Sequence, residues 1–276
     1  MRKTWLITGT SAGFGRLLTE RLLARGDRVA ATLRRPGALA DLQARFGEQL
    51  HVVRLDVTDT ASMPGAVADA FATLGRIDVV VSNAAYGLFG AAEELSDAQI
   101  TQQIATNLVG SIQLIRTVLP HLRQQGGGRI VQVSSEGGQM AYPGFSLYHA
   151  TKWGIEGFVE SVAQEVAPFG IDCMLVEPGP TGTRFKESLD LAPPLAAYVG
   201  TPAGNVRQAI VGDGFPIPGD AGRTVDAMIE AMDADAPPFR LPLGSLAFTH
   251  IEAALRQRLH AMAPLEAIAR SADATP

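Results

Sequence analysis

The sequence predicts an α/β fold: a single Rossmann-type domain with a doubly wound parallel sheet of about seven strands and helices on both faces. Three observations predict it. Short, nearly continuous apolar runs alternate with longer helical stretches, the pattern of parallel strands buried on both faces and joined by crossovers. A glycine-rich turn, TGTSAGFG, closes the first run and opens the first helical stretch. The 276 residues, 46% of them apolar, suffice for one large core, and neither a linker nor an internal repeat divides them.

The elements follow in order. Apolar runs predict strands at 4–8, 28–32, 51–55, 77–82, 129–134 and 171–176, with a weaker one at 239–243. Helical patterns fill the gaps at 14–25, 39–46, 61–74, 97–124 and 146–166. Gly26 is placed to stop the first helix and Gly126, Gly127 and Gly128 the fourth. Such alternation implies right-handed crossovers. The stretch 180–220, rich in Pro and Gly, breaks the rhythm and follows the last strong strand. That is the end where open sheets bind ligands, so it reads as a substrate lid, the alternative being an insertion without a role. Residues 245–276 read as a C-terminal helical extension.

Composition narrows the function. A net charge of −5 without a basic patch argues against a nucleic-acid surface. The one cysteine, Cys173, sits in a strand pattern, so no internal disulfide forms and a reducing compartment is implied. No apolar run reaches the ~20 residues of a membrane helix, and the basic start is followed by too short a run for a signal peptide. A soluble cytoplasmic protein is expected. His51, His121, His250 and His260 show no ligand spacing, so no metal site is expected.

The candidate site starts at the turn. Gly9, Gly13 and Gly15 form T-G-x-x-x-G-x-G between a strand and a helix, where backbone N–H groups can approach a pyrophosphate. A ligand-free structural turn is the alternative. After the second strand, where an acid usually holds the ribose, stand Leu33, Arg34 and Arg35. Guanidinium groups there suit a 2′-phosphate, which favours NADP(H) over NAD(H). Tyr148 and Lys152, four residues apart, share a helix face, and Ser135 ends the strand thirteen residues upstream of Tyr148. A phenol beside a fixed ammonium has its anion favoured, so Tyr148 can exchange a proton near neutral pH, with Ser135 orienting the substrate oxygen. Asn107 is a poor residue for a helix interior. His149, next to Tyr148, falls off its face and is expected to pack rather than react.

Together these pieces resemble the short-chain dehydrogenase/reductase family, from about Thr4 to Thr183. The resemblance implies that the turn from Thr8 to Gly15, including Ser11 and Phe14, binds the coenzyme. Asp56 and Val57 bracket the adenine. Asn83, Ala84 and Ala85 run along the cofactor, Asn83 also steadying the sheet. Asn107, Ser135, Tyr148 and Lys152 are the implied catalytic residues. Asn107 anchors a water leading from Lys152 to solvent, and Lys152 also holds the nicotinamide ribose. Pro178, Gly179, Thr181 and Thr183 cradle the nicotinamide end. Two departures stand out: Ser82 replaces the first Asn of N-N-A-G, and an extra residue precedes Gly87.

The implied activity is NADP(H)-dependent interconversion of a hydrophobic ketone or aldehyde and its alcohol. The alternatives are an NAD(H)-dependent alcohol dehydrogenase and a nucleotide-sensing protein without turnover. The glycine spacing speaks against epimerase or dehydratase relatives. Glu136, Gln139, Met140, Tyr142 and Phe145 are expected to line the substrate cleft, with Tyr86 and Phe89 opposite and Phe185 and Leu189 above. Glu136 is expected either at solvent or on a cationic or hydroxylated substrate. By analogy the protein forms a homodimer or homotetramer through the helices at 97–124 and 146–166.

Overall fold

Strand and helix alternate from the first residues of the computed structural model, which describes residues 2–35, 37–212 and 214–274. β1 (Thr4–Thr8) leads to α1 (Gly13–Ala24), β2 (Arg28–Leu33), α2 (Ala40–Phe46), β3 (Leu50–Arg54), α3 (Met63–Leu74) and β4 (Val79–Ser82). After the short β5 (Leu88–Phe89) come α4 (Asp97–Ile104), α5 (Gly110–Gln124), β6 (Gly128–Val133), α6 (Ser146–Val166) and β7 (Ile171–Pro178). The remainder is β8 (Asp190–Leu191), α7 (Pro202–Val211), α8 (Ala221–Asp233), β9 (Arg240–Leu243), α9 (Ser245–Met262) and α10 (Glu266–Arg270). The seven-stranded sheet runs β3-β2-β1-β4-β6-β7-β9, with every pair parallel.

Period-two alternation sorts the core into two layers. Leu6, Ala30 and Val80 face the side covered by α3, α5 and α6, where Val67, Leu114 and Ile155 meet them. Trp5, Ile7, Val79 and Val81 face the other, under Leu18 and Leu22 of α1 and Val225 and Met228 of α8. Trp5 is wholly buried, and its indole N–H is satisfied by Asp27 Oδ2 at 2.8 Å.

Three elements depart from the expected pattern. The helix expected over 97–124 is interrupted by a π-turn, Ala105–Val109, between α4 and α5. Such a turn re-aims a side chain within a helix, and here it carries Asn107. The stretch 180–220 is not structureless. β8 pairs in parallel with β5, and α7 is capped by Thr201, whose hydroxyl accepts from the Gly204 N–H. α8 was hidden behind that stretch, although Asp220 caps it and Val225, Met228 and Met232 recur at helical spacing. In α9, Ala247 and Ile251 are buried, whereas most of the helix beyond them is exposed. Among the described residues no helix is long and apolar enough to cross a membrane.

Candidate active site

β1 is flanked by β2 and β4, so strand order reverses beside it, and a ligand crevice is expected at the carboxyl ends. A cleft of about 1140 Å³ opens there. Gly9 (φ +71°) and Gly13 (φ +55°) take left-handed backbone conformations. A β-carbon on Gly9 would sit 2.8 Å from Ala84 Cα, and one on Gly15 would overlap the Gly9 carbonyl oxygen. α1 begins at Gly13, after Ala12, without a side-chain cap and without an acid in its first turn. Its first N–H groups and positive dipole end are therefore left for an anion. These features fit a dinucleotide pyrophosphate. Asn83 Nδ2 donates to the carbonyls of Thr8 (2.9 Å) and Gly9 (3.2 Å), while the N–H groups of Asn83 and Ala84 donate to Thr8 Oγ1. The ends of β1 and β4 are thus tied together.

Ser11, Gly13, Phe14, Arg34, Arg35, Asp56, Val57, Asn83, Ala84 and Ala85 all line this cleft, as do Pro178, Gly179, Thr181 and Thr183. Gly15 lies behind the turn. Leu33 is buried, and Arg34 and Arg35 are exposed where an acid was absent from the sequence. Burial raises the Asp56 pKa, but the Thr58 N–H (3.0 Å) and hydroxyl (2.8 Å) and the Arg34 charge outweigh it, so the carboxyl titrates below its usual range.

Ser135, Tyr148 and Lys152 meet on the other side of the cleft. Lys152 is 2% exposed, and its Nζ donates to the Val133 carbonyl at 3.0 Å. Burial pulls its pKa down to about 8, against the attraction of Glu156. For Tyr148 the structure corrects the expected sign. Burial pushes the phenol up to about 12; a hydrogen bond with Ser135 opposes this, and the charges of Glu136 and Glu156 add to it. With its ammonium turned to Val133, Lys152 does not overcome the desolvation. Asn107 is buried off the cleft, its Oδ1 accepting from the Tyr86 N–H (3.1 Å) and its Nδ2 donating to the Tyr86 carbonyl (2.8 Å). Its amide is committed to the backbone of Tyr86, the residue after Ala85.

On the side of the cleft beside Tyr148, Glu136, Tyr142, Phe145 and Phe185 form the lining, and the Phe185 ring meets Tyr148 at 5.9 Å between centroids. Three expectations are corrected. Glu136 is not at solvent: it is 2% exposed and accepts from Tyr142 Oη at 2.6 Å. Gln139 and Met140 lie outside the lining, Gln139 because its Nε2 is drawn to Glu156 Oε2 at 2.5 Å. Phe89 is fully buried and packs edge-on against Phe145 instead. His149 is buried, its Nδ1 donating to the Gly137 carbonyl and its Nε2 accepting from the Tyr142 N–H, both at 2.8 Å. Burial lowers its pKa, so it stays neutral. Sequence reading missed Ile210 and Phe215, which also line the cleft, and His250, whose partners are distant in the chain.

Behind the cleft, Glu156 lies four residues beyond Lys152 on the same face of α6. It accepts from Ser134 Oγ (2.5 Å), Gln139 Nε2 (2.5 Å) and Arg240 Nη1 (2.8 Å). Arg240 also pairs with Glu177 and with Glu160. Burial and the Glu156 charge push the Glu177 carboxyl up to about 7. Raised above 4.5, this group contributes stability fully present below pH 4.5 and lost as pH rises through about 7. Glu177→Gln is expected to flatten the stability curve across that window, measured by thermal melts in stepped buffers. An unchanged slope would contradict the assignment. Among the described residues, no group of three or more His, Cys, Asp or Glu could hold a metal.

The family model described as "short chain dehydrogenase" matches residues 3–193. An oxidoreductase of Botryotinia fuckeliana, BOA17, is 39% identical over 88% of this chain and 89% of its own. A 3-ketodihydrosphingosine reductase of Bacteroides thetaiotaomicron is 35% identical over 68% of this chain and 67% of its own. The crystal structure of a short-chain dehydrogenase from Streptomyces avermitilis superposes with a TM-score of 0.91 at 37% identity, covering 99% of this chain and 98% of that one.

Proposed function

The chain belongs to the short-chain dehydrogenase family and is an NAD(P)-dependent oxidoreductase, and on that premise we propose that it reduces a hydrophobic ketone or aldehyde with NADPH. The observation that carries the reading is the convergence of Ser135, Tyr148 and Lys152 on a cleft whose other arm holds the glycine turn and two arginines.

The bound nicotinamide supplies the hydride. Ser135 holds the carbonyl oxygen and polarises it. Tyr148 gives its phenolic proton to that oxygen, and with a pKa of about 12 the phenol is protonated at neutral pH, the form reduction requires. Lys152, near 8, would hold the nicotinamide ribose. Asn107 acts by fixing the Tyr86 backbone beside the cofactor segment. Phe145, Phe185, Ile210 and Phe215 make the substrate arm apolar, which agrees with the keto-reductase name of the Bacteroides relative. The segment 180–220 serves as a lid over this arm, and the family's habit of assembly favours a homodimer or homotetramer.

Coenzyme preference rests on Arg34 and Arg35. Arg34→Ala is expected to weaken NADPH binding about tenfold or more while leaving NADH nearly unchanged, followed by fluorescence titration. Equal loss for both coenzymes, or tighter NADH binding by the unaltered protein, would favour NAD(H) and alcohol oxidation.

A further inference from the structure

Glu136, Tyr142 and His250 close a ring of hydrogen bonds at the substrate side of the cleft. Tyr142 Oη donates to Glu136 Oε1 at 2.6 Å, and His250 Nδ1 lies 3.0 Å from both Glu136 Oε2 and Tyr142 Oη. The Tyr142 proton is committed to the carboxylate, which can only accept, so the network assigns the shared proton to His250 Nδ1. A carboxylate that is 2% exposed would carry a heavy desolvation cost alone, and these two donors offset it. His250 stands on α9, 114 residues beyond Glu136.

What the ring fixes is a wall of the cleft. The Tyr142 N–H donates to His149, which is anchored on the Gly137 carbonyl, so the ring also braces the turn that follows Ser135. The Tyr142 ring meets Phe215 edge-on at 6.2 Å, and the Phe215 N–H donates to the Ala209 carbonyl of α7 at 3.0 Å. Tyr142 and Phe215 both line the cleft. A residue of α9 therefore holds the surface on which α7 and its following loop rest.

We propose that His250 is a positioning residue. Acting through Glu136 and Tyr142, it fixes the substrate-side wall and the turn after Ser135, and so makes α9 part of the active site. The functional weight of this wall rests on the reading of the cleft as a substrate site. The test does not: hydrogen–deuterium exchange of the full-length chain needs neither coenzyme nor substrate.

In His250→Leu, segments 136–145 and 202–211 are expected to exchange about tenfold faster, since a hydrogen bond to a charged group is lost, while β1 and β4 stay protected. His250→Asn, whose amide can place a donor near the Nδ1 position, is expected to restore most of the protection. Leu and Asn variants loosened equally would overturn the proposal, as would wild-type exchange in His250→Leu. If His250→Leu loosens the whole chain, Tyr142→Phe decides, because it deletes only the hydroxyl. Acceleration confined to the two segments then supports the proposal, and wild-type exchange overturns it.

Discussion

Replacing Tyr148 with phenylalanine is expected to lower ketone turnover by about 10²- to 10⁴-fold, the usual contribution of a positioned general acid. Only the hydroxyl is lost. The ring contacts with Phe145 and Phe185 remain, so the cleft keeps its shape. On the proposed assignment, coenzyme binding depends mainly on the glycine turn and the arginines across the cleft, so it is expected to survive. Steady-state rates compared with fluorescence titration of NADPH separate the two effects. Loss of coenzyme binding in Tyr148→Phe would mean that Tyr148 supports structure rather than proton transfer. The phenol's high pKa adds a pH signature. Oxidation of an alcohol needs the phenolate, so its rate is expected to climb as pH rises toward 12, whereas reduction near neutral pH has its acid in place.

Arg240→Met is expected to cost about 2–3 kcal/mol of stability, below the full penalty for breaking a buried ion pair because Arg240 itself is 29% exposed. The substitution leaves Glu156 and Glu177, 2% and 1% exposed, without their shared cation. For a chain of this size the melting temperature should fall by roughly 10 °C. The sign of the pH dependence follows from Glu177. Below 4.5 it is neutral and loses little, while above about 7 it is charged and loses most, so the gap between variant and wild type should widen with pH. Thermal melts at both ends of that window check this. Because Glu156 also gathers Ser134 and Gln139, the variant is expected to disorder the approach to Ser135 before it unfolds. A melting temperature unchanged at both ends would show that the cluster is no more than an exposed ion pair.

What was legible in the sequence was local. The glycine turn, the arginines after β2 and the Tyr148–Lys152 spacing are short-range patterns, and the geometry brings their residues to one cleft. The alternating apolar runs located the seven sheet strands to within a residue or two, where assignments differ in any case. What escaped depended on distant partners. Glu136 read as solvent-bound or substrate-bound because nothing near it in sequence shows its partner His250, which lies on the last long helix. Gln139 seemed to face the substrate until Glu156, on another element, drew it away. A π-turn leaves no periodic signature, so α4 and α5 read as one helix around Asn107. α8 follows a Pro- and Gly-rich stretch that masks its cap at Asp220.

The most direct test of the central claim is isotopic. NADPH deuterated at both C4 positions of its nicotinamide ring would be incubated with the protein and a panel of hydrophobic ketones, and the alcohols examined by mass spectrometry. The expected result is one deuterium at the carbinol carbon, absent when Tyr148→Phe replaces the wild type over the same interval. A protein that binds NADPH tightly yet transfers no label to any ketone would contradict the account and leave a nucleotide-binding protein without turnover.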